Sequence, residues 1–225
     1  MIRLKLDIPV YKRHRITRKC FDGVRRIRNT FKRCGVDVMV YVATDDDAHN
    51  EMCVEYGFEH KRIHPQPLGR RLNELMDFTV CDYDYHMGLG SDDILADELC
   101  EILAAWMKRG APIFGVSSMY AVNAHTSEVK KISQKLVFGA ARCIRRDLIE
   151  QTGDLWEDYV MLGNDGNSQT RILQATGYGC QTVSTPEPLL YDIKSTHNLM
   201  QWDRFERYPT VKLKNYPPEL KHYLK

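Results

Sequence analysis

Carboxylates standing in turns are the residues of this chain best suited to chemistry. Asp45-Asp46-Asp47 and Gly90-Ser91-Asp92-Asp93 each follow an apolar run, and Trp156-Glu157-Asp158-Tyr159 and Gly163-Asn164-Asp165-Gly166 come later. An ionised carboxylate only accepts hydrogen bonds, so it can take a ring N–H, ligate a hard divalent cation or remove the proton of an attacking hydroxyl. Basic groups stand beside them: Arg13, the pair Arg70-Arg71 after Gly69, and Lys194 in the stretch ending at His197. A guanidinium fork matches phosphate oxygens bidentately. Neighbouring helix positions point about 100° apart, so only one of Arg70 and Arg71 can face a ligand.

The elements that must position these groups are legible from periodicity. Ile2, Leu4, Leu6 and Ile8 alternate with polar residues, which predicts a strand ending at Pro9. Ile16, Cys20, Val24, Ile27, Phe31 and Cys34 advance by three or four, which predicts a helix stopped at Gly35. A strand over 36–44, a helix through Met52, Cys53 and Tyr56, a short segment at 59–63 and an amphipathic helix carrying Leu68, Leu72, Leu75 and Met76 continue the pattern. A strand at 83–89 follows, then an exit loop at 90–93, with Asp93 offering a cap, and a helix over 95–107 with Leu99, Leu103 and Trp106 inward. The second half predicts strands at 112–117 and 136–144 around a polar excursion over 121–133. An irregular stretch at 154–163 then leads to a helix near 169–176.

Alternating units of this kind predict an α/β fold: a mixed, mainly parallel sheet with helices on both faces. In such a sheet the loops at the carboxyl ends of the strands converge, which would gather residues 9–13, 44–47 and 90–93. Residues 1–197 read as one domain. Residues 198–225, with Trp202, Phe205, Tyr208, Tyr216 and Tyr223 among basic residues, read as a tail packing on it.

At 225 residues, 43% hydrophobic and 28% charged, the composition is that of one soluble domain, which sets global disorder aside. The opening residues lack the apolar core of a signal peptide and no run of some eighteen apolar residues occurs, so a cytoplasmic protein without membrane contact is expected, in the host cytoplasm if viral. The seven cysteines are odd in number and contain no CxxC pair, which predicts reduced thiols. Residues 1–35 carry twelve Lys/Arg against Asp7 and Asp22, and the last twenty-two residues six against Glu206 and Glu219. Such clusters are either solvated faces or a surface for phosphates.

Ile8-Pro9-Val10-Tyr11, Ala43-Thr44-Asp45-Asp46, Leu68-Gly69-Arg70-Arg71-Leu72-Asn73, Gly90-Ser91-Asp92-Asp93-Ile94-Leu95, Phe138-Gly139-Ala140 and Gly163-Asn164-Asp165-Gly166 with Arg171-Ile172 occur in this order. In order and spacing they resemble the GT-A glycosyltransferases, in particular family-2-like bacterial and phage members, over roughly residues 2–200. The resemblance implies inverting transfer of a hexosyl or pentosyl group from a nucleotide sugar, a UDP-sugar favoured, to a hydroxyl, with Mn²⁺ or Mg²⁺. It places Pro9, Tyr11 and Asp45 at the nucleoside, with Arg13 in the same turn. Arg71 goes to the diphosphate, and Ser91 and Asp92 stand where the family has Asp-x-Asp.

Gly90 departs from that motif by replacing its first acid. The resemblance assigns the metal to Asp92 and His197, the leaving diphosphate to Lys194 and the general base to Asp165, with Glu157 and Asp158 competing for that role. Asp45 and Asp165 also read as helix N-caps. The acceptor is open among protein, small-molecule and oligosaccharide hydroxyls and a hydroxymethylated base of phage DNA. A nucleotidyltransferase, the alternative enzyme, would carry a glycine-rich loop after the first strand, and residues 9–13 contain no glycine. A catalytically inactive nucleotide-sugar-binding module is the third reading.

Overall fold

Alternation along β1 (Ile2–Pro9) sends Leu4, Leu6 and Ile8 to one face and Lys5 and Asp7 to the other, as the two-residue period of a strand requires. The computed structural model describes residues 1–78, 82–159, 164–196 and 202–224. Leu4, Leu6 and Ile8 meet α1 (His14–Arg33) through Cys20, Phe21, Val24, Ile27 and Phe31. Each large apolar side chain fully buried there contributes about 1.5–3 kcal/mol relative to exposure. The helix ends where its periodicity stops, and Gly35 follows at φ 72°, a conformation that costs glycine nothing.

β2 (Val36–Thr44) returns beside β1, α2 (Asp47–Tyr56) packs behind it, and β3 (Glu59–Arg62) extends the edge. Asp46 caps α2 by accepting the His49 N–H, so the cap lies one residue beyond Asp45. α3 (Leu68–Asp77) covers the opposite face of the sheet against β1 and β2. β4 (Tyr85–Gly88) pairs parallel with β1, two residues later in starting than the sequence predicts.

β5 (Asp93–Leu95), α4 (Asp97–Lys108) and β6 (Ile113–Gly115) follow. Ala96 holds the N-cap of α4 without a side-chain bond, so Asp93 does not cap it. β9 (Cys143–Arg145) inserts antiparallel between β6 and β4, and α5 (Arg146–Thr152) and α6 (Asn164–Thr176) lie on the α3 side. With β10 (Gln181–Thr182), the described residues form a seven-stranded sheet ordered β10-β6-β9-β4-β1-β2-β3. It is mixed and mainly parallel, with helices on both faces.

Three expectations are corrected. The polar excursion at 121–133 is a hairpin of β7 (Ser118–Asn123) and β8 (Val129–Ser133), because the polar side chains find partners: Lys130 bonds Thr210 and Lys131 pairs with Glu187. Within 136–144 only the last residues are strand. The apolar Val137 and Phe138 belong to a buried loop tied by Phe138 N–H to the Val116 carbonyl and Ala141 N–H to that of Gly88. α6 begins five residues before the predicted start, and its Ser168, fully buried, accepts a bond from Arg142.

β11 (Leu190–Lys194) joins β5, β7 and β8 in a second sheet ordered β5-β11-β7-β8. The C-terminal residues add short 3-10 turns at Trp202–Phe205 and Pro218–His222. Phe205 enters the main core, and Leu220 and Tyr223 pack with Ile16, Ile94 and Ile193. Cys20, Cys53, Cys100 and Cys143 are buried free thiols, and burial pushes all four thiol pKa values up, which leaves them unreactive. No described helix is long and apolar enough to cross a membrane.

Candidate functional site

The turn leaving β4 runs through Gly90 and Ser91 into β5, which pairs antiparallel with β11. That register sets Asp192 opposite Asp93. As a result Asp92, Asp93 and Asp192 offer carboxylate oxygens within 4.8 Å of one another. Asp192 is not among the candidates that the sequence suggests. Its signal is the i, i+2 pair Asp192 and Lys194, which share one face of a strand.

Two cations balance the three acids. Arg13, the left-handed residue before α1 at φ 54°, donates Nη1–H to Asp92 Oδ2 at 2.7 Å and Nη2–H to Ser91 Oγ at 3.0 Å. Lys194 forms an ion pair with Asp192, both side chains being almost wholly buried. Burial works against ionisation of Asp92, but Arg13 and then Lys194 outweigh it and hold its carboxyl below the usual range. Burial, together with the charges of Asp192 and Asp92, pushes Asp93 well above that range. Burial also lifts Asp192, to about 6, with Lys194 opposing the rise and Asp92 adding to it.

Gly90 fits this arrangement for a steric reason. Its N–H donates to Asp93 Oδ2 at 2.7 Å, and a Cβ there would stand 2.6 Å from that oxygen and 2.8 Å from Asp92 Oδ1. An acid at position 90 has no room, and β11 supplies a carboxylate from elsewhere in the chain. All-oxygen donors suit Mg²⁺ or Mn²⁺. Asp192 Oδ1, buried and without a hydrogen-bond partner, is the atom of this set that such an ion would satisfy.

On the β2 side, Asp45 Oδ2 accepts the Lys12 N–H at 3.0 Å and Oδ1 lies 2.7 Å from His49 Nδ1, so this acid ties the two strand-exit loops together. Tyr11 is half-buried, with the Lys12 ammonium 4.9 Å from its ring centroid. Arg71 is 2% exposed and donates Nη2–H to the carbonyls of Val10 at 2.7 Å and Ala43 at 2.8 Å, at the ends of β1 and β2. Burial brings its pKa down to about 10. Arg70 points outward to Glu74, so the two arginines do separate as helix geometry demands.

A cavity of about 240 Å³ opens between these elements. Pro9, Gly90, Asp93 and Asp192 are among the residues that line it, and so are Asp7, His86, Arg142 and Trp156. Of the three candidate bases, Asp158 accepts a bond from Asn73 Nδ2 at 3.2 Å and Glu157 is exposed. The loop bearing them rests on α3 so closely that a Cβ on Gly69 would lie 1.9 Å from the Glu157 carbonyl oxygen. Asp165 falls within the first turn of α6, beyond its N-cap position; its side chain, like all of His197, lies outside the described residues. The structure thus brings together Arg13, Ser91, Asp92 and Lys194, and adds Asp93 and Asp192 to them.

No family model and no curated protein sequence matches the chain. Solved structures share its architecture. Staphylococcus aureus TarS aligns over 86% of this chain with a TM-score of 0.64 at 12% identity, and its 1–349 fragment over 85% with 0.61 at 11%. The chain spans 37% of the former and 60% of the latter. A Drosophila β-1,4-galactosyltransferase 7 mutant, crystallised with manganese, UDP-Gal and xylobiose, aligns over 92% of this chain and 80% of its own length, with a TM-score of 0.56 at 14% identity. The fold of this chain is therefore the GT-A fold of glycosyltransferases.

Proposed function

We propose that the chain transfers a sugar from a nucleotide-sugar donor, a UDP-sugar in the first instance, to a hydroxyl acceptor. The observation that carries this reading is the group Asp92, Asp93 and Asp192 at the strand exits, balanced by Arg13 and Lys194 and opening on a cavity within a GT-A fold. The galactosyltransferase neighbour, with its manganese, UDP-Gal and xylobiose, supports it.

In this reading Pro9, Tyr11 and Asp45 receive the nucleoside. Asp92 and Asp192 would hold Mn²⁺ or Mg²⁺, with His197 as the further candidate ligand. Such an ion supplies compensation for the charge growing on the departing diphosphate. Arg13 and Lys194 already bond carboxylates and can turn N–H donors to phosphate oxygens, where guanidinium and ammonium bind well. Arg71 acts on the donor indirectly, by fixing the carbonyls that end β1 and β2. Asp165, or in its place Glu157 or Asp158, accepts the proton of the attacking hydroxyl, and attack from the side opposite the leaving group inverts the anomeric carbon.

A saccharide hydroxyl is the acceptor we favour over a hydroxymethylated DNA base. Four of the eight Lys/Arg of α1 are engaged with acids: Arg18 with Glu55, Arg25 and Lys19 with Asp22, and Arg26 with Asp97 and Glu219. Each cation already paired with an acid adds less to the counterion release that drives DNA binding.

The test is slow donor hydrolysis across a panel of nucleotide sugars with and without Mn²⁺. Free sugar and nucleoside diphosphate are the expected products. Release of a nucleoside monophosphate, or no cleavage and no binding of any donor, overturns the proposal.

A further inference from the structure

Lys5, Asp7 and His86 form a buried polar group that the proposed transfer leaves unused. They are 0%, 4% and 2% exposed and stand on the face of β1 and β4 that α3 covers. Lys5 Nζ donates to Asp7 Oδ2 at 2.7 Å and to the carbonyls of Leu75 and Met76, both at 3.0 Å, which uses all three of its protons. His86 Nε2 lies 3.1 Å from the same Oδ2. Because a carboxylate oxygen only accepts, Nε2 carries the imidazole proton and Nδ1 is left as a bare acceptor. Burial lowers the His86 pKa, in keeping with a neutral ring.

Two buried acceptors, Asp7 Oδ1 and His86 Nδ1, consequently have no donor. Both residues line the cavity of about 240 Å³ that also reaches Asp93 and Asp192. Buried acceptors without donors are costly, and a core built only for stability would hold apolar groups there. The surrounding wall is mainly apolar and aromatic, with the buried Arg142 as a charged member: Trp156 stands edge-on to His86 with ring centroids 6.3 Å apart, and Leu72, Phe138 and Ala140 line the same cavity.

Two acceptors beside an apolar wall select a ligand with several hydroxyl donors on a compact ring that has its own apolar face. A donor's diphosphate offers only acceptors, so it gains nothing from Asp7 Oδ1 or His86 Nδ1 and is matched instead by cations, Arg13 and Lys194 at the acid cluster and Arg142 in the cavity wall. We propose that Asp7 and His86 are specificity-determining residues that read hydroxyls of a sugar ring, with Lys5 a positioning residue that holds the Asp7 carboxylate. The proposal rests on the glycosyltransferase reading for its placing of the ring beside a donor diphosphate. The ring belongs either to the donor or to a saccharide acceptor, and the chemistry of recognition is the same.

Asp7→Asn tests it, because Oδ2 must still accept from Lys5 and His86, which turns the amide NH₂ into the place of Oδ1 and replaces an acceptor by a donor. Lys5→Met combined with Asp7→Asn removes both charges together and serves if the single variant is unstable, and His86→Gln tests the second acceptor. Calorimetry with UDP, UDP-glucose, UDP-galactose and their deoxy-sugar analogues is the first arm, and KM for saccharide acceptors the second.

The expected result is an unchanged affinity for UDP, while the advantage of a UDP-sugar over its deoxy analogue falls by about tenfold or more, the scale of a lost charge-assisted hydrogen bond. If that advantage persists but KM for the acceptor rises by a similar factor, the ring read is the acceptor's. Folded variants that change neither quantity overturn the proposal. Wild-type protein that binds no UDP-sugar defeats the glycosyltransferase reading instead. Saturation-transfer NMR with free monosaccharides then judges the pocket alone: a saccharide signal that the wild type gives and the variants abolish supports it, and a wild type that gives no signal sinks it.

Discussion

Restoring the acid that Gly90 replaces should damage the site. Gly90→Ala isolates the steric part of this prediction. The new Cβ would stand 2.6 Å from Asp93 Oδ2 and 2.8 Å from Asp92 Oδ1, well inside van der Waals contact. Neither oxygen can move freely: Asp93 Oδ2 holds the Gly90 N–H at 2.7 Å, and Asp92 is held by Arg13 at 2.7 Å through its other oxygen. Moving either carboxylate sacrifices a hydrogen bond or strains the turn, at about 1–3 kcal/mol. In a chain of this length each kcal/mol lowers Tm by about 2–4 °C, so Gly90→Ala should melt about 2–12 °C lower. Gly90→Asp adds a fourth carboxylate to three acids balanced by two cations, so its loss should be at least as large, with no gain in Mn²⁺ affinity. Thermal melts and Mn²⁺ titration of both variants decide it. A Gly90→Ala protein melting within about 1 °C of wild type, or a Gly90→Asp protein that binds Mn²⁺ more tightly, refutes the reasoning.

Other consequences can be checked independently. Arg71→Met should lose about 1–3 kcal/mol in urea unfolding, since two carbonyl bonds vanish and the Val10 carbonyl is left buried; equal stability with a selective loss of donor affinity would instead make Arg71 a direct donor contact. Burial lowers the His86 pKa, so below the unfolded value of about 6.5 the unfolded chain binds a proton that the native one resists. The stability this neutral ring contributes is complete above that pH and declines as pH falls towards the lowered folded value. His86→Gln should therefore flatten the acid limb by up to about 1.4 kcal/mol per pH unit, and parallel wild-type and variant stability curves between pH 7.5 and 5.5 would count against it. Asp165→Asn should cut transfer by about 10²–10⁴-fold with donor affinity kept; a near-normal rate alongside collapse in Glu157→Gln or Asp158→Asn moves the base to the other turn.

The part of the fold legible in the sequence is the part where burial and polarity agree. Along β1 and α1 the apolar positions that recur with the right period are buried, save the end positions Ile2 and Cys34, which are partly so, and Leu4, Leu6, Ile8, Val24 and Phe31 thereby announce a strand and a helix. The second sheet is hidden because its polar residues are buried with partners that lie far away in sequence. Lys130 reads as a loop residue until Thr210 is set beside it, and Asp192 reads as a break in an apolar run until β5 brings Asp93 opposite. At the site, Arg13, Ser91 and Asp92 are legible because they sit at strand exits, where a parallel sheet gathers its loops. Asp7 and His86 are not, because alternation marks only one buried face of β1, and α3 buries the other.

The charge distribution, in the same way, means something different once partners are known. Twelve Lys/Arg in residues 1–35 suggest a phosphate-binding surface when taken as a sum. Their destinations divide them into separate tasks. Arg26 donates to Asp97, to Glu219 and to the Leu95 carbonyl, which fastens the C-terminal turn at 218–222 across α1 and α4. Lys5 neutralises Asp7 inside the core, and Arg18 and Arg25 meet acids on the surface, where such pairs are worth about 0–1 kcal/mol each. Arg13 alone among these carries its charge into the acid cluster at the cavity, at 11% side-chain exposure. Low exposure there lets Arg13 retain most of its attraction for an anion in the presence of salt, because buried charges are screened far less than surface ones. In the cavity wall the cation is Arg142, 2% exposed, while Arg13 bonds Asp92 and Lys194 pairs with Asp192, so the positive charge near the cavity is buried charge rather than the sum of the surface cations.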